Sequence, residues 1–259
     1  MNRRYRSTVV ALLFAWIGGH ADSAELKLPA DGWASWRVPA VAGAPDWCCF
    51  SDRADQRRVC DLDARHGSYG TNSDDAPADH TIIYARFKAG QLERLRAYGP
   101  TCRVQTTQAV ADLGDVDVDT SARWLATQLS AGDGHGSDVL AALATHAGSV
   151  AQGELVRIAR SDSVRENRKD ALFWLAQLGD ARAESAIRAA VEAEPSREVR
   201  HQAVFALSQL PDERGVKALI GLLEDRSLPL EDRKQALFWL GQSEDAAAQA
   251  YLAQVLTAQ

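Results

Sequence analysis

A ten-residue segment recurs in the second half of the chain and constrains the fold more than any other feature. It reads RKDALFWLAQ from Arg168, RHQAVFALSQ from Arg200 and RKQALFWLGQ from Arg233, at offsets of 32 and 33 residues. A degenerate copy at 137–146, followed by GELVRIAR at 153–160, fits one period upstream. A fixed period of this length indicates a stack of similar structural units.

Each unit reads as two antiparallel helices. Leu172, Leu175 and their neighbours form one apolar stripe at helical spacing. Gly179 then interrupts the pattern, and Asp180 is placed to cap the next helix by accepting a backbone N–H; Asp212 stands in the same place one unit later. Because two helices cannot bury both of their stripes alone, the units are predicted to stack into a right-handed α-solenoid.

The details of the repeat resemble one known family. Val199-Arg200 precedes a helix, an alanine and spaced apolar residues follow, and an aspartate closes the segment. This pattern resembles the short bacterial HEAT repeat, also called phycobilisome-lyase HEAT-like, over residues 137–259. The resemblance implies a solenoid and no particular activity. Phycobilin lyases of this repeat type act on cytoplasmic antenna proteins, which fits poorly with the secretory signal pattern of the first residues.

The first residues have the pattern of a secretory signal peptide. Arg3, Arg4 and Arg6 precede a short apolar run at 9–17, and small residues allow cleavage after Ala21 or Ala24. The apolar run is shorter than the roughly 20 residues that span a bilayer. We therefore expect a cleaved signal at 1–21 and a periplasmic or secreted bacterial protein without stable membrane insertion. An uncleaved anchor is the alternative, and the twin-arginine pattern fits poorly.

Charge argues against nucleic acid as a partner. The full sequence has a formal net charge of −6, and removing residues 1–21 takes away three arginines and no acid. Phosphate binding depends on clustered Lys and Arg, which an acidic chain lacks.

The cysteines are consistent with export. All four lie in the first half of the chain: Cys48, Cys49, Cys60 and Cys102. An even number in an oxidising compartment predicts two disulfides. Three connectivities are possible, and we favour one neighbour of the 48–49 pair bonding to each of the two distant cysteines. The alternative is a Cys/His metal site with His66 or His80, although the spacing lacks a zinc knuckle.

Residues 25–115 differ in texture from the rest. The segments 81–88 and 91–98, separated by Ala89-Gly90, predict a β-hairpin, and 66–80 predicts a polar loop. From residue 120 the composition becomes helical, and 121–129 predicts an entry helix. The predicted class is a two-part α+β chain: a small β-rich, disulfide-stapled domain at 25–115, then a solenoid of short HEAT-like hairpins at 120–259. The solenoid has about four repeats, which are clearest at 164–259.

No pattern predicts a catalytic or cofactor site. The sequence has no G-x-S-x-G, H-E-x-x-H or phosphate-binding loop. The acidic run at 114–119 has calcium-loop spacing, but Thr120 and Ala126 replace the required Gly and Glu, so it reads as a helix-capping turn. His135 and His146 are each expected in a loop or on the surface. The chain is therefore predicted to be non-enzymatic and to bind no cofactor.

The recurring arginines Arg168, Arg200 and Arg233 allow two interpretations. They form either a ladder that binds an anionic ligand or ion pairs within the stack, with acids such as Glu198 and Asp232. We favour ion pairs that stabilise the repeat, each of which contributes on the order of 0–1 kcal/mol at the surface.

The aromatic residues of the repeat point in two different directions relative to the apolar stripe of the helix. At about 100° per residue, one position points away from the apolar stripe in each unit: Phe173, Phe205 and Phe238. The next position lies at the flank and reads Trp174, Ala206 and Trp239. The tryptophans are predicted to pack between neighbouring helices, with the alanine leaving room. The phenylalanines are predicted to form an apolar row that is covered by the β-rich domain, engaged by a partner protein or left semi-exposed.

These patterns together favour an exported, non-enzymatic scaffold that binds another protein on its solenoid surface. The alternative is a ligand-binding or enzymatic N-terminal domain with the solenoid as an accessory. A polar pocket containing residues such as His66, Asp74 or His80 would favour that alternative. A structural or self-assembling role is the third hypothesis.

Overall fold

A computed structural model of the chain describes residues 26–49, 59–64, 69–70, 76–129, 134–211 and 213–257. In this part of the chain, eight strands precede nine helices. The strands are β1 (Gly32–Pro39), β2 (Cys48–Cys49), β3 (Cys60–Asp61), β4 (Tyr69–Gly70), β5 (His80–Lys88), β6 (Gln91–Tyr98), β7 (Val104–Gln105) and β8 (Val110–Asp115). The helices are α1 (Val118–Thr127), α2 (Gly136–Thr145), α3 (Ser149–Ser161), α4 (Arg165–Leu178), α5 (Ala181–Ala193), α6 (Arg197–Ser208), α7 (Arg214–Glu224), α8 (Leu230–Gly241) and α9 (Ala246–Thr257).

The main sheet has the strand order β6-β5-β1-β8. The predicted hairpin is confirmed, because β5 and β6 pair antiparallel and turn at Ala89 and Gly90, which both have positive φ. Strand β1 pairs antiparallel with β5 and parallel with β8. The sheet therefore depends on pairings between distant parts of the chain, and periodicity does not predict them.

The two faces of the sheet serve different cores. Alternation along the strands turns one apolar set towards the helices: Ala34, Trp36, Val38, Ile83, Ala85, Phe87 and Leu95. Trp33, Tyr84 and Tyr98 point to the opposite face, where they pack with Cys49, Cys60 and Leu62. Both faces of the sheet are thus covered, one by the solenoid and one by the disulfide-linked segments.

Two disulfides staple the segments on this second face. Cys48 bonds to Cys102, and Cys49 bonds to Cys60. The connectivity is the favoured one, with each neighbour of the 48–49 pair bonded to a different distant cysteine. Disulfides of this kind indicate an oxidising environment, extracellular or periplasmic.

The helices form four stacked hairpins after the entry helix α1. Unit 1 is α2–α3, unit 2 is α4–α5, unit 3 is α6–α7 and unit 4 is α8–α9. The first helices of successive units pack against one another in one layer. Predicted caps are confirmed at Asp117, which accepts from the Thr120 N–H at 2.8 Å, and at Asp180, which accepts from the Ala183 N–H at 2.8 Å. Asp212 lies outside the described residues.

The β-rich region and the solenoid share one continuous core. Trp36 on the sheet meets Trp124 of α1 edge to face, with ring centroids 5.3 Å apart, and Phe87 contacts the same indole at 6.0 Å. The apolar cluster that contains these rings extends through the four units. The two parts seen in the sequence are thus fused in one packed body. Among the described residues, no helix is both long and apolar enough to cross a membrane.

Candidate functional site

The phenylalanines of the repeat lie on the outer face of the layer formed by α4, α6 and α8. Phe173 and Phe205 are half-buried, whereas Phe238 is 53% exposed. We call these three residues the aromatic row. The row is less uniform than the sequence predicts, because its members have different neighbours.

Trp174 meets a second tryptophan that the repeat pattern does not reveal. Trp47, in the loop before Cys48, lies edge to face with Trp174 at a centroid distance of 6.2 Å. Phe173 contacts the same Trp174 ring at 5.2 Å. The prediction that Trp174 packs between neighbouring helices is therefore incomplete, since the β-rich region also supplies an aromatic contact.

The Trp47–Trp174 pair separates two cavities, which together we call the junction cleft. The first has a volume of about 300 Å³ and is lined by Trp47, Arg96, Ala97, Ser137, Asp138, Ala141, Thr145 and Trp174. The second has a volume of about 280 Å³; besides Trp47, Thr145 and Trp174, it is lined by the 41–45 loop and by Ala144, Phe173, Gln177 and Leu178. Mostly apolar walls with a few polar groups are typical of binding clefts.

An ion pair forms the polar wall of the first cavity. Arg96 donates to Asp138 at 3.0 Å and also to the backbone carbonyl of Leu95 at 2.7 Å. Burial raises the pKa of the Asp138 carboxyl above its ordinary value, and the Arg96 guanidinium opposes that effect. The pair joins β6 to α2, so the cleft walls from the two regions are fixed relative to each other.

A second aromatic cluster lies further along the layer. The Phe205 and Trp239 rings are 4.8 Å apart, and Phe238 contacts Trp239 at 5.1 Å. Trp239 thus packs between α6 and α8, as predicted. On the middle helix, the buried Ala206 occupies the position that tryptophan holds in units 2 and 4.

Each of these helices also presents an exposed amide one turn after its phenylalanine. The residues are Gln177, Gln209 and Gln242. At helical spacing, each lies on the same face as the phenylalanine of its unit. The outer face of the layer therefore repeats an aromatic ring and an amide once per unit.

The recurring arginines hold the repeat together. Arg168 binds Glu194 through two contacts, at 3.0 and 3.1 Å, and Arg200 donates to the fully buried Asp232 at 2.7 Å. Arg233 donates to the Leu223 carbonyl at 3.2 Å. These contacts fit the ion-pair interpretation for Arg168 and Arg200, whereas Glu198, suggested as an acidic partner, pairs with Arg165.

His146 is an interior residue, contrary to the surface or loop position expected for it. Its Nδ1 donates to the Ala142 carbonyl at 2.7 Å, so its Nε2 accepts from the Ser121 hydroxyl at 2.8 Å. Ser121 in turn accepts from the Trp36 indole N–H at 2.8 Å. Burial lowers the pKa of His146 to about 4. Because Ser121 is fully buried and His146 nearly so, this pair is structural and reaches no substrate.

His80 lies in a shallow polar groove on the β-rich region. The groove is lined by Arg37, Val38, Pro39, Asp79, His80, Asp115, Val116 and Asp117. His80 Nδ1 is 2.6 Å from Asp79, and Arg37 donates to Asp115 at 2.8 Å. His80 lowers the pKa of Asp79. The lining residues include no hydroxyl or thiol nucleophile, and His66 and Asp74 lie outside the described residues.

A metal site finds little support in the described part of the chain. The one group of His, Cys, Asp or Glu there with ligand atoms close enough to share an ion is Cys48, Cys60 and Cys102. All three sulfurs are engaged in the disulfides. The alternative that pairs the cysteines with His80 is not seen, since His80 lies outside this group.

Comparison with known proteins identifies the helical part. No curated protein matches the chain. Residues 153–231 match the family described as HEAT repeats, from within α3 to the start of α8. The solenoid on which the aromatic row lies therefore contains a HEAT-repeat domain.

Proposed function

We propose that the protein is an exported, non-enzymatic scaffold that holds a segment of another protein along the aromatic row and into the junction cleft. The carrying observation is that a phenylalanine and an exposed glutamine recur together on one solvent-facing side of units 2, 3 and 4. HEAT repeats generally mediate protein–protein interaction, which supports this choice.

The chemistry of the row suits a polypeptide ligand. Aromatic rings offer apolar contact area at a small cost in conformational entropy, and such residues dominate binding energy at interfaces. A glutamine amide both donates and accepts, as a peptide backbone does. A surface that alternates these two groups can bind side chains and main chain together.

The spacing of the row suits an extended segment. Neighbouring helices pack roughly 8–10 Å apart, and an extended chain rises roughly 3.3 Å per residue. About three ligand residues would therefore correspond to each unit. A segment of roughly twelve residues would run from Phe238 past Phe205 and Phe173 to the junction cleft.

A second candidate function is ligand binding by the β-rich region. The groove around His80 has the polar lining that this alternative requires, because it contains Asp79, Asp115 and a histidine. Arg37 and the neighbouring acids already neutralise one another in part. Substituting His80→Ala would abolish binding to this groove and leave binding along the aromatic row unchanged.

The direct test removes the row and keeps the fold. We expect the variant Phe173→Ser/Phe205→Ser/Phe238→Ser to lose binding of peptides selected from a displayed random library, because the apolar contacts disappear. Its thermal midpoint should stay near that of the unmodified protein, since these rings lie outside the buried core. The matched control Leu230→Ser removes an apolar side chain that is 58% exposed elsewhere on α8, and it should bind normally.

Peptide binding by the triple variant as tight as that of the unmodified protein would contradict the proposal, because the row would then not be the binding surface. If its thermal midpoint collapses, the rings contribute to packing, and the variant Gln177→Ala/Gln209→Ala/Gln242→Ala tests the same surface; normal peptide binding by that variant would also contradict the proposal.

A further inference from the structure

Unit 4 exposes positions that the preceding units bury. Leu172 of α4 and Val204 of α6 are fully buried, whereas the equivalent Leu237 of α8 is 46% exposed. In the second helix of the units, Val191 of α5 is 1% exposed, Leu223 of α7 is half-buried, and the equivalent Leu256 of α9 is 76% exposed. Equivalent residues thus change from interior to surface at the last unit.

One further position follows the same rule. Leu222 of α7 is buried, and its equivalent Val255 of α9 is 44% exposed. We call Leu237, Val255 and Leu256 the stacking face.

The stacking face has the composition of an interface. In units 2 and 3 the equivalent positions are buried or half-buried, because consecutive units pack helix to helix. Repeat stacks generally need a polar outer face on their terminal unit to remain soluble. An apolar face in its place marks an interaction surface.

The opposite end of the solenoid is closed. Strand β6 packs against α2 of unit 1, and Arg96 of that strand binds Asp138 of α2 at 3.0 Å. The entry helix α1 also packs against α2 and α3. A second copy therefore cannot continue the stack head to tail, since the surface that would receive the stacking face is covered.

We propose that two copies of the chain pair through their stacking faces, related by a two-fold axis. Such a pairing continues the apolar interface that the units already make with one another. Contact between like faces closes at two copies, whereas contact between unlike faces would grow into filaments. This inference is independent of the proposed binding function, because the aromatic row points away from the stack.

The test measures the mass of the full-length mature protein in solution. Sedimentation velocity and light scattering from about 1 to about 100 µM should give twice the mass of one chain. The variant Leu237→Glu/Leu256→Glu should be monomeric, with the dissociation constant raised by roughly 100-fold or more, because four carboxylates would be buried together. The control Val59→Glu replaces a residue that is 45% exposed on the β-rich region, and it should stay dimeric.

A second variant keeps the test decisive if the first fails to fold. Leu256→Lys changes one side chain that is already 76% exposed, so it should fold and dimerise more weakly. Three results would overturn the proposal: a monomeric unmodified protein across this range, a double variant that folds and remains dimeric, or assemblies that grow beyond two copies with concentration.

Discussion

The β-rich region and the solenoid are held together by contacts of different range. In the β-rich region, β1 pairs with β5 and β8, and the Cys48–Cys102 disulfide joins residues 54 apart. In the solenoid, the main ion pairs join residues 26 and 32 apart, within or between neighbouring units. The contacts of the β-rich region form together, because they join distant parts of the chain. The stability of the solenoid is approximately the sum of the stabilities of its units and of the interfaces between neighbouring units.

The difference explains where the molecule can tolerate change. A defect in one solenoid unit affects its neighbours first, because each unit contacts only the adjacent ones. A defect in the β-rich region displaces Trp47, which forms one wall of the junction cleft. The cleft therefore depends both on the local contacts of the solenoid and on the long-range contacts of the β-rich region.

The largest expected effect concerns the long disulfide. Substituting Cys48→Ala/Cys102→Ala should lower the free energy of unfolding by about 4 kcal/mol, because the bond closes a 54-residue loop in the unfolded chain. Substituting Cys49→Ala/Cys60→Ala, which opens an 11-residue separation, should cost about 3 kcal/mol. Urea unfolding of both variants measures the difference. A larger loss for the shorter loop would contradict the view that chain topology dominates this region.

A substitution inside the solenoid should lower the free energy of unfolding by less. A second substitution at the contacting residue should restore most of that loss. Arg200→Met removes the guanidinium that pairs with the buried carboxylate of Asp232 and leaves only the His201 Nε2 beside it, at 3.4 Å, so it should cost about 3 kcal/mol. Arg200→Met/Asp232→Leu should recover most of that loss, because no buried charge remains. Thermal and urea unfolding of the two variants provide the comparison. If the double variant is as unstable as Arg200→Met, the ion pair contributes more to the free energy of unfolding than compensation for the burial of its own charges.

The junction between the regions should be sensitive to acid. His146 has a pKa of about 4 when folded and about 6.5 when unfolded, so the unfolded chain binds more protons between these values. His146 makes its full contribution to the free energy of unfolding above pH 6.5, and this contribution should fall by about 2 kcal/mol between pH 7 and pH 5. His146→Gln should remove this part of the pH dependence in urea titrations. An unchanged slope would place the acid sensitivity elsewhere.

The smallest expected effect uses two glycines of the solenoid. Gly179 has φ +61°, and an added Cβ would lie 2.8 Å from Pro211, so Gly179→Ala should cost about 1 kcal/mol or slightly more. Gly241→Ala adds a side chain that meets nothing within 4 Å, at the end of a helix, and should be neutral or stabilise by a few tenths of a kcal/mol. Urea midpoints of the two variants should move in opposite directions. If both urea midpoints move in the same direction, the backbone conformation at the two glycines does not determine the effect of the substitutions.

The same difference in the sequence separation of contacts explains how much of each region could be predicted from the sequence. The solenoid could be inferred because its buried positions, such as Leu172 and Val204, repeat at a fixed period, and the capping role of Asp180 depends only on nearby backbone. The main sheet could be inferred only at its one local element, the β5–β6 hairpin. Strand β1 could not be inferred in this way, because it pairs with β5 and β8, which lie far away in the chain.

The candidate site was predictable to the extent that it lies on the repeat. The direction of the aromatic row followed from helical geometry, but its unequal exposure did not, because Trp47 and the 41–45 loop lie against unit 2 alone. His146 looked isolated because its partners, Ser121 and Trp36, lie in other elements. The one signal for Trp47 was its position beside a disulfide cysteine.

That position of Trp47 has a consequence for when the cleft can exist. Its carbonyl accepts from the Gly99 N–H at 2.9 Å, and the next residue, Cys48, is bonded to Cys102. Before oxidation, nothing covalent ties the loop of Trp47 to the end of β6. The aromatic wall would then be completed only after the chain has left a reducing compartment. If the aromatic row and the junction cleft bind another protein as proposed, this binding surface would mature only in an oxidising environment, and capture of a partner during synthesis would be avoided.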